Sequence, residues 1–475
     1  MRVVVFLTVL LLPPAAVAAQ GLEFPALPAD APAGTGRVEA CTAPGLVGSA
    51  RCGVYRVWEG RERREGRTVD IAFVVLEALE PSERAEDPVV LLPGGPGQAF
   101  IPGAVRISRG FDALRRTRDV LLVDVRGVGR SQALDCGMPY PGGLRSRFGA
   151  LFPLDHIAAC RDTLAGRASL EEYTTASSVD DVDELRAWLG YQRVNLSGGS
   201  YGTRVAQVYM RRHPGSVRTV VLNGVTPVSE PGYVHHARLL QRTLDGVVAA
   251  CAADAECSAR HLRLGKDVAA MLARFRAAPV EVELRGERVP FHLADLAYAL
   301  RGLLYGRADE LPALIQGAAA GDVLPLAEYY VERTGWVGEP GGVTGYHLSV
   351  LCAEDIDLVT DELAREATAG TFMGSALIDS YRAACAIWPH ARLPAAHFEP
   401  VTRDIPTLLL SGSLDPVTPP EGAETVARHL PDALHVVVPG GGHGVGGPCI
   451  ERMVVELIES GSLEGVDTSC VGGSE

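Results

Sequence analysis

Gly198-Gly199-Ser200-Tyr201-Gly202 follows the apolar run Val194-Asn195-Leu196 and precedes a helical pattern from Thr203 to Arg212. The order is strand, tight turn with a serine among glycines, helix. Such a turn holds the serine in a strained backbone conformation, and glycine at the flanking positions removes side chains that would clash. The hydroxyl then stands clear of a sheet, at a helix N-terminus whose unpaired N–H groups favour negative charge. That placement suits a serine nucleophile. With 53 Gly in 475 residues, G-x-S-x-G arises by chance about one time in three, so the rest of the chain has to supply the specificity.

Outward from the pentapeptide, strands and helices alternate. Gly53 to Glu59 and Thr68 to Leu76 read as an antiparallel hairpin around the charged stretch Arg61 to Arg67, which is expected to be a solvated turn. Val89 to Leu92 is a short buried strand running into Pro93-Gly94-Gly95-Pro96-Gly97, and Asp119 to Val125 is another. A helix is expected from Ser178 to Leu189 with Ser178 as its N-cap, then the strand before Ser200, its helix, and the strand Val217 to Leu222. This alternation predicts an α/β fold with a parallel sheet covered on both faces.

The rhythm breaks near Thr226-Pro227. Helical patterns follow over Tyr233 to Cys251, Gly265 to Ala277, Leu293 to Leu304, Glu310 to Ala319 and Asp361 to Thr368, with one hairpin-like stretch from Val280 to Phe291. Alternation resumes with Thr407 to Leu410, a helix from Glu421 to Leu430, the strand Leu434 to Val438, and a helix from Cys449 to Ser460. The expected organisation is a leader over residues 1–19, core over 20–226, a mostly helical cap over 227–400, and core again over 401–475.

A serine alkoxide is inaccessible at neutral pH, so Ser200 needs a base within reach and an acid to orient that base. Asp415 follows the apolar Leu408-Leu409-Leu410, and His443 follows Val436-Val437-Val438 and a glycine-rich loop. Both therefore sit at C-terminal strand ends, with one helix between them. The chain order Ser200, Asp415, His443 is the order of α/β-hydrolases. Rivals are weaker: His213 ends a helix, and Asp404 and Asp432 precede their strands, at the wrong end of the sheet. The oxyanion hole calls for two fixed N–H donors, expected from Tyr201 and from Gly95 in the Pro93 to Gly97 loop. No metal or cofactor is called for.

Residues 1–19 read as a secretory leader: Arg2, the apolar Val3 to Leu12, and the small residues Ala16-Val17-Ala18-Ala19. Its apolar run is about half the roughly 20 residues a membrane span needs, and no later stretch is long enough, so no span is expected. Ten cysteines without C-x-x-C spacing suit disulfides in an exported, secreted or periplasmic protein. Nearest-neighbour pairing gives Cys41–Cys52, Cys136–Cys160, Cys251–Cys257, Cys352–Cys385 and Cys449–Cys470 as the working expectation. A net charge of −14 argues against nucleic acid as a ligand.

Five blocks now stand together: Pro93 to Gly97, Asp124-Val125-Arg126-Gly127-Val128-Gly129-Arg130-Ser131, the Ser200 turn, the Asp415 loop and the His443 loop. In combination they resemble the prolyl/tripeptidyl aminopeptidase family of serine peptidases within the α/β-hydrolase fold, nearest its secreted tripeptidyl-aminopeptidase-like branch. The resemblance runs from about residue 40 to the C-terminus. Proline at position 93, the long cap and the cysteine-bearing C-terminal segment match that branch. It implies an exopeptidase acting on short peptides with a free N-terminus. It also implies that a cap carboxylate, Glu354 or less strongly Asp355, pairs with the substrate ammonium, and that Arg126 organises loops and takes no chemical part. The alternative is a secreted carboxylesterase or lipase-like hydrolase with the same triad. A catalytically dead binding module is disfavoured, because all three triad residues are present.

Overall fold

Four consecutive apolar residues, Val89 to Leu92, offer no polar face to water, so a strand made of them needs cover on both sides. The computed structural model, which describes residues 21–135, 143–333 and 343–472, gives it that cover. In chain order the strands are β1 (Gly36–Cys41), β2 (Ala50–Trp58), β3 (Thr68–Leu76), β4 (Val89–Leu92), β5 (Val120–Val123), β6 (Val194–Gly199), β7 (Val217–Asn223), β8 (Val280–Leu284), β9 (Glu287–Phe291), β10 (Thr407–Gly412) and β11 (Ala433–Val438). Nine of them form one sheet in the order β1-β2-β3-β5-β4-β6-β7-β10-β11, while β8 and β9 pair apart as a hairpin. The pairs from β1 to β5 across β2 and β3 are antiparallel, and those from β5 to β11 are parallel.

The side chains of β4 and β5 divide by the two-residue period of a strand. Val90, Leu92, Leu121 and Val123 join the large core on one face, and Val89, Leu91, Val120 and Leu122 join a second apolar cluster on the other. β10 does the same, with Leu409 on one side and Leu408 and Leu410 on the other. The helix Thr175–Trp188 starts earlier than expected, because Thr174 and not Ser178 is its N-cap: the Thr174 hydroxyl accepts from the Ser177 N–H.

Between β7 and β10 the chain leaves the sheet and builds the helices His236–Ala253, Leu264–Ala277, Leu293–Gly306, Leu311–Ala320, Leu324–Arg333, Thr344–Glu354, Asp361–Thr368 and Ala376–Cys385, with the β8–β9 hairpin among them. Its core is continuous with that of the sheet: Leu240 and Leu300 belong to the same cluster as Val205 and Leu196. Residues 143–165, sequentially ahead of Ser200, also pack here. Phe148 meets Phe291 and Tyr330, and Phe152 lies 4.8 Å from Tyr381 between ring centroids. Among the described residues no helix is long and apolar enough to cross a membrane.

Disulfides join Cys41–Cys52, Cys251–Cys257, Cys352–Cys385 and Cys449–Cys470. Cys160 is also disulfide-bonded; its expected partner Cys136, like the expected leader, lies outside the described residues.

The basic turn after β2 is not simply solvated, which corrects the reading from sequence. Arg61 pairs with Asp180, Asp181 and Glu184, and Arg67 with Glu59. Asp181 is shared with Arg126, a guanidinium of 0% exposure that takes both carboxylate oxygens at 2.6 and 2.7 Å and also donates to the Trp58, Glu59 and Glu172 carbonyls. Asp181→Ala leaves that cation buried without its counter-charge, and is expected to cost about 3–5 kcal/mol. Breaking the exposed Arg37–Glu39 pair should leave the unfolding midpoint in place. Urea titration of the two variants checks this, and equal midpoints would contradict it.

Candidate active site

The turn after β6 forces Ser200 to φ 55° and ψ −124°, a region that side chains other than glycine's seldom occupy. Two glycines make that turn possible. A β-carbon on Gly198 would stand 2.3 Å from the Gly202 carbonyl oxygen, and one on Gly202 would stand 2.2 Å from the Leu92 carbonyl oxygen. Gly199 meets nothing closer than 3.9 Å, so the demand falls on the outer pair alone. Tyr201 is the first residue of the helix Tyr201–Arg212, so its N–H has no partner one turn back.

The sheet's register brings the other two groups to the same edge. Gly199 of β6 stands beside Asn223 of β7, and Asn223 beside Leu410 of β10. β10 runs on to Gly412, opposite Val438 of β11. The acid loop leaves from the first of these ends and the histidine loop from the second, and the loops interlock. The Ser413 N–H donates to the Val438 carbonyl at 3.1 Å and the Leu414 N–H to the Gly441 carbonyl at 2.8 Å. Gly412 permits the contact, since a β-carbon there would lie 2.2 Å from the Gly442 carbonyl oxygen.

His443 Nδ1 lies 2.9 Å from Oδ2 and 3.1 Å from Oδ1 of Asp415. The carboxylate also accepts the Val417 N–H at 2.9 Å, the Thr418 N–H at 2.8 Å and the Thr418 hydroxyl at 2.7 Å. Burial alone pushes this carboxyl up, but the charge and hydrogen bond of His443 and the backbone donors outweigh it and bring its pKa down to about 2. Asp415 therefore stays ionised wherever His443 works as a base. The imidazole side chain keeps 18% exposure, and the Tyr305 ring from the helix Leu293–Gly306 stands over it at 5.2 Å.

Asn223 and Gly224 join Ser200 to this pair, a role the sequence reading missed. The Asn223 carbonyl accepts the Ser200 N–H at 2.9 Å. Its side chain holds both polar groups of Val445, two residues past the histidine, at 2.7 and 3.0 Å. A β-carbon on Gly224 would lie 3.5 Å from His443 Cε1 and 3.6 Å from Asp415 Oδ2. A polar residue closing the apolar run Val217 to Leu222 was the available signal. Of the rivals, His213 pairs with Asp180 and Asp183.

The Pro93 to Gly97 loop lies against Ser200: a β-carbon on Gly94 would be 3.5 Å from Ser200 Cβ. Gly95 follows at φ 109°. Asp124 secures the far side of this loop by accepting the Phe100, Ile101 and Arg130 N–H groups.

Glu354 and Asp355 end the helix Thr344–Glu354 with 1% exposure each, and both are engaged internally. Glu354 accepts the Thr175 N–H at 2.8 Å and its hydroxyl at 2.7 Å, and Thr175 Oγ1 is 2.6 Å from the Tyr201 hydroxyl. Burial opposes its charge, yet His397 at 3.6 Å, Thr175 and Arg204 hold the carboxyl below its ordinary value. Asp355 pairs with Arg204 at 2.7 Å and accepts the Gly232 N–H at 2.7 Å. Both carboxylates take their donors from the protein, as carboxylates this deeply buried require, so these contacts lend no support to the expected pairing of either with a substrate ammonium.

Comparison with known proteins finds relatives along most of the chain. Over 90% of its length the chain is 26% identical to serine protease Hip1 of Mycobacterium tuberculosis, covering 88% of that protein. Over 88% it is 24% identical to tripeptidyl aminopeptidase of Streptomyces lividans, covering 83% of it. A solved proline iminopeptidase of Mycobacterium smegmatis aligns with 83% of this chain and 95% of its own at 15% identity and a TM-score of 0.38. The family model described as the alpha/beta hydrolase fold matches residues 87–446, a span holding the serine turn, both loops and the whole insertion, and the chain belongs to that family.

Proposed function

We propose that this protein is an exported serine peptidase that removes short fragments from the free N-terminus of peptides. The observation that carries the catalytic part is the Asp415–His443 hydrogen bond at the sheet edge where Ser200 is held in its strained turn. The peptide part is supported by relatives named serine protease and tripeptidyl aminopeptidase. Export is supported by the disulfides and the leader-like residues 1–19.

In this reading Ser200 attacks the scissile carbonyl while His443 takes its proton at Nε2 and Asp415 stabilises the imidazolium. N–H groups of Tyr201 and Gly95 receive the oxyanion. His443 then protonates the leaving amine, and water repeats the cycle to free the acyl fragment. The insertion acts as a cap: Tyr305 stands over His443 and Tyr233 reaches the Gly95 carbonyl, which favours short chains over folded proteins.

A peptide anilide with a free amine is expected to be cleaved about 100-fold faster, in kcat/KM, than its N-acetylated form, the scale of one lost charged hydrogen bond. Product masses then give the number of residues released per cut. Equal rates would remove the N-terminal requirement. The internal engagement of Glu354 and Asp355 favours a second reading on that outcome, an endopeptidase or carboxylesterase using the same triad.

A further inference from the structure

The loop that carries Gly95 is soft by composition. Gly94, Gly95 and Gly97 have no side chains to pack, and Gly95 and Gly97 adopt φ 109° and 103°, where glycine alone is at ease. Fixing such a run in one conformation costs about 1–2 kcal/mol per residue in backbone entropy, so something outside it must hold it. Three consecutive carbonyls are each held by a donor from the insertion. The Tyr233 hydroxyl donates to the Gly95 oxygen at 3.0 Å, His347 Nδ1 to the Pro96 oxygen at 3.1 Å, and the Val343 N–H to the Gly97 oxygen at 3.1 Å. Because a peptide unit is planar, each grip fixes a whole plane. Together they set the torsions leading away from Gly95, whose N–H is the expected oxyanion donor.

The donors are themselves fixed. A carbonyl only accepts, so His347 carries its proton on Nδ1, and the neutral ring accepts at Nε2 from the Tyr381 hydroxyl at 2.8 Å. Burial enforces that neutral state, bringing the imidazole down to about 4. The Cys352–Cys385 disulfide ties together the two helices that bear His347 and Tyr381. Tyr233 packs against both rings, at 6.0 and 5.5 Å.

We propose that Tyr233 and His347 are positioning residues for catalysis: through them the insertion sets the oxyanion-binding backbone of the Gly95 loop. The cap is then part of the catalytic apparatus as well as its cover. This rests on reading Ser200, His443 and Asp415 as a hydrolytic centre, and is independent of whether the acyl group comes from a peptide or an ester.

The test uses the full-length protein with Tyr233→Phe, His347→Leu and His347→Asn, the last keeping an N–H donor near the position of Nδ1. Tyr233→Phe and His347→Leu are expected to lower kcat about 10-fold, less than the loss on deleting an oxyanion donor outright, with KM changed by less than about twofold. Affinity for a peptidyl trifluoromethyl ketone, which forms a tetrahedral oxyanion on the serine, should fall by the same factor. His347→Asn should restore most of both. A purely structural role moves neither the kcat of folded enzyme nor the ketone's affinity. Unchanged values in Tyr233→Phe and in a folded histidine variant, a loss confined to KM, or a kcat loss with full ketone affinity would each overturn the proposal. If His347→Leu does not fold, Tyr233→Phe and His347→Asn carry the comparison. Should the wild type ignore peptide anilides, p-nitrophenyl esters give the same readout. Ser200→Ala run alongside separates the layers: activity retained there defeats the hydrolytic reading itself, whereas a dead Ser200→Ala beside a fully active Tyr233→Phe defeats only the positioning role.

Discussion

Ser200→Ala is expected to lower kcat about 10⁶-fold and to leave the folded state intact. The variant keeps the β-carbon, so it enters the same φ 55° turn with the same backbone strain as serine, and no buried group among the described residues loses a partner. What disappears is the bond-forming atom. With no alkoxide there is no acyl-enzyme, and the Asp415–His443 pair is left to activate water from a position built for a side chain. The residual rate, roughly 10³-fold over water, is what oxyanion binding and orientation supply alone. Steady-state hydrolysis, a burst measurement and circular dichroism on the same sample check the result. A folded Ser200→Ala enzyme retaining more than about a hundredth of wild-type kcat would show that another nucleophile operates.

The second large effect is expected at Asp415→Asn, a fall of about 10⁴-fold in kcat through the wrong tautomer of His443. The carboxylate's Oδ1 accepts both the Val417 and Thr418 N–H groups, so the amide of asparagine must keep its oxygen there. Its NH₂ is then turned toward His443 Nδ1, where Oδ2 stands at 2.9 Å, and donates to it. That places the histidine's proton on Nε2, the nitrogen that should receive one from Ser200. The same substitution has a signature in stability. A carboxyl whose pKa falls from 3.8 in the unfolded chain to about 2 in the folded one contributes stability that is present in full above about pH 4. That contribution drains away as pH falls toward 2. The gap in urea midpoint between wild type and Asp415→Asn should therefore narrow from pH 5 to pH 2. A constant gap with retained activity would leave Asp415 outside the site.

Strands and helices alike were legible where local chemistry and global fold agree. Val89 to Leu92, Thr68 to Leu76 and Asp361 to Thr368 appear where expected, because runs of apolar residues or capped amphipathic turns have few alternatives. The loops bearing Asp415 and His443 stood out because each follows an apolar run and opens onto glycine, although only the first of those runs is buried throughout and the second, at the sheet edge, buries Val436 alone. Other elements left no such trace. β1, Gly36–Cys41, is an edge strand with only Cys41 fully buried, so it lacks an apolar face to announce it. The helix Thr344–Glu354 is buried on every side, which erases the 3.6-residue contrast that identifies surface helices. The internal partners of Glu354 were hidden for a related reason. A carboxylate's partners are tertiary, and Thr175 and His397 lie far from it in sequence, on other elements. The tie from Asn223 to Val445 was hidden in the same way.

The order of strands carries a consequence for biosynthesis. β10 and β11 come after the entire insertion, yet they complete the sheet beside β7. At about 5–20 residues per second, the ribosome delivers the serine roughly 10–50 s before the imidazole proposed to activate it. Throughout that interval the nascent polypeptide bears an inert alcohol. The hydrolytic reading thus makes the newborn enzyme harmless to its surroundings until its last stretch has been made and has docked.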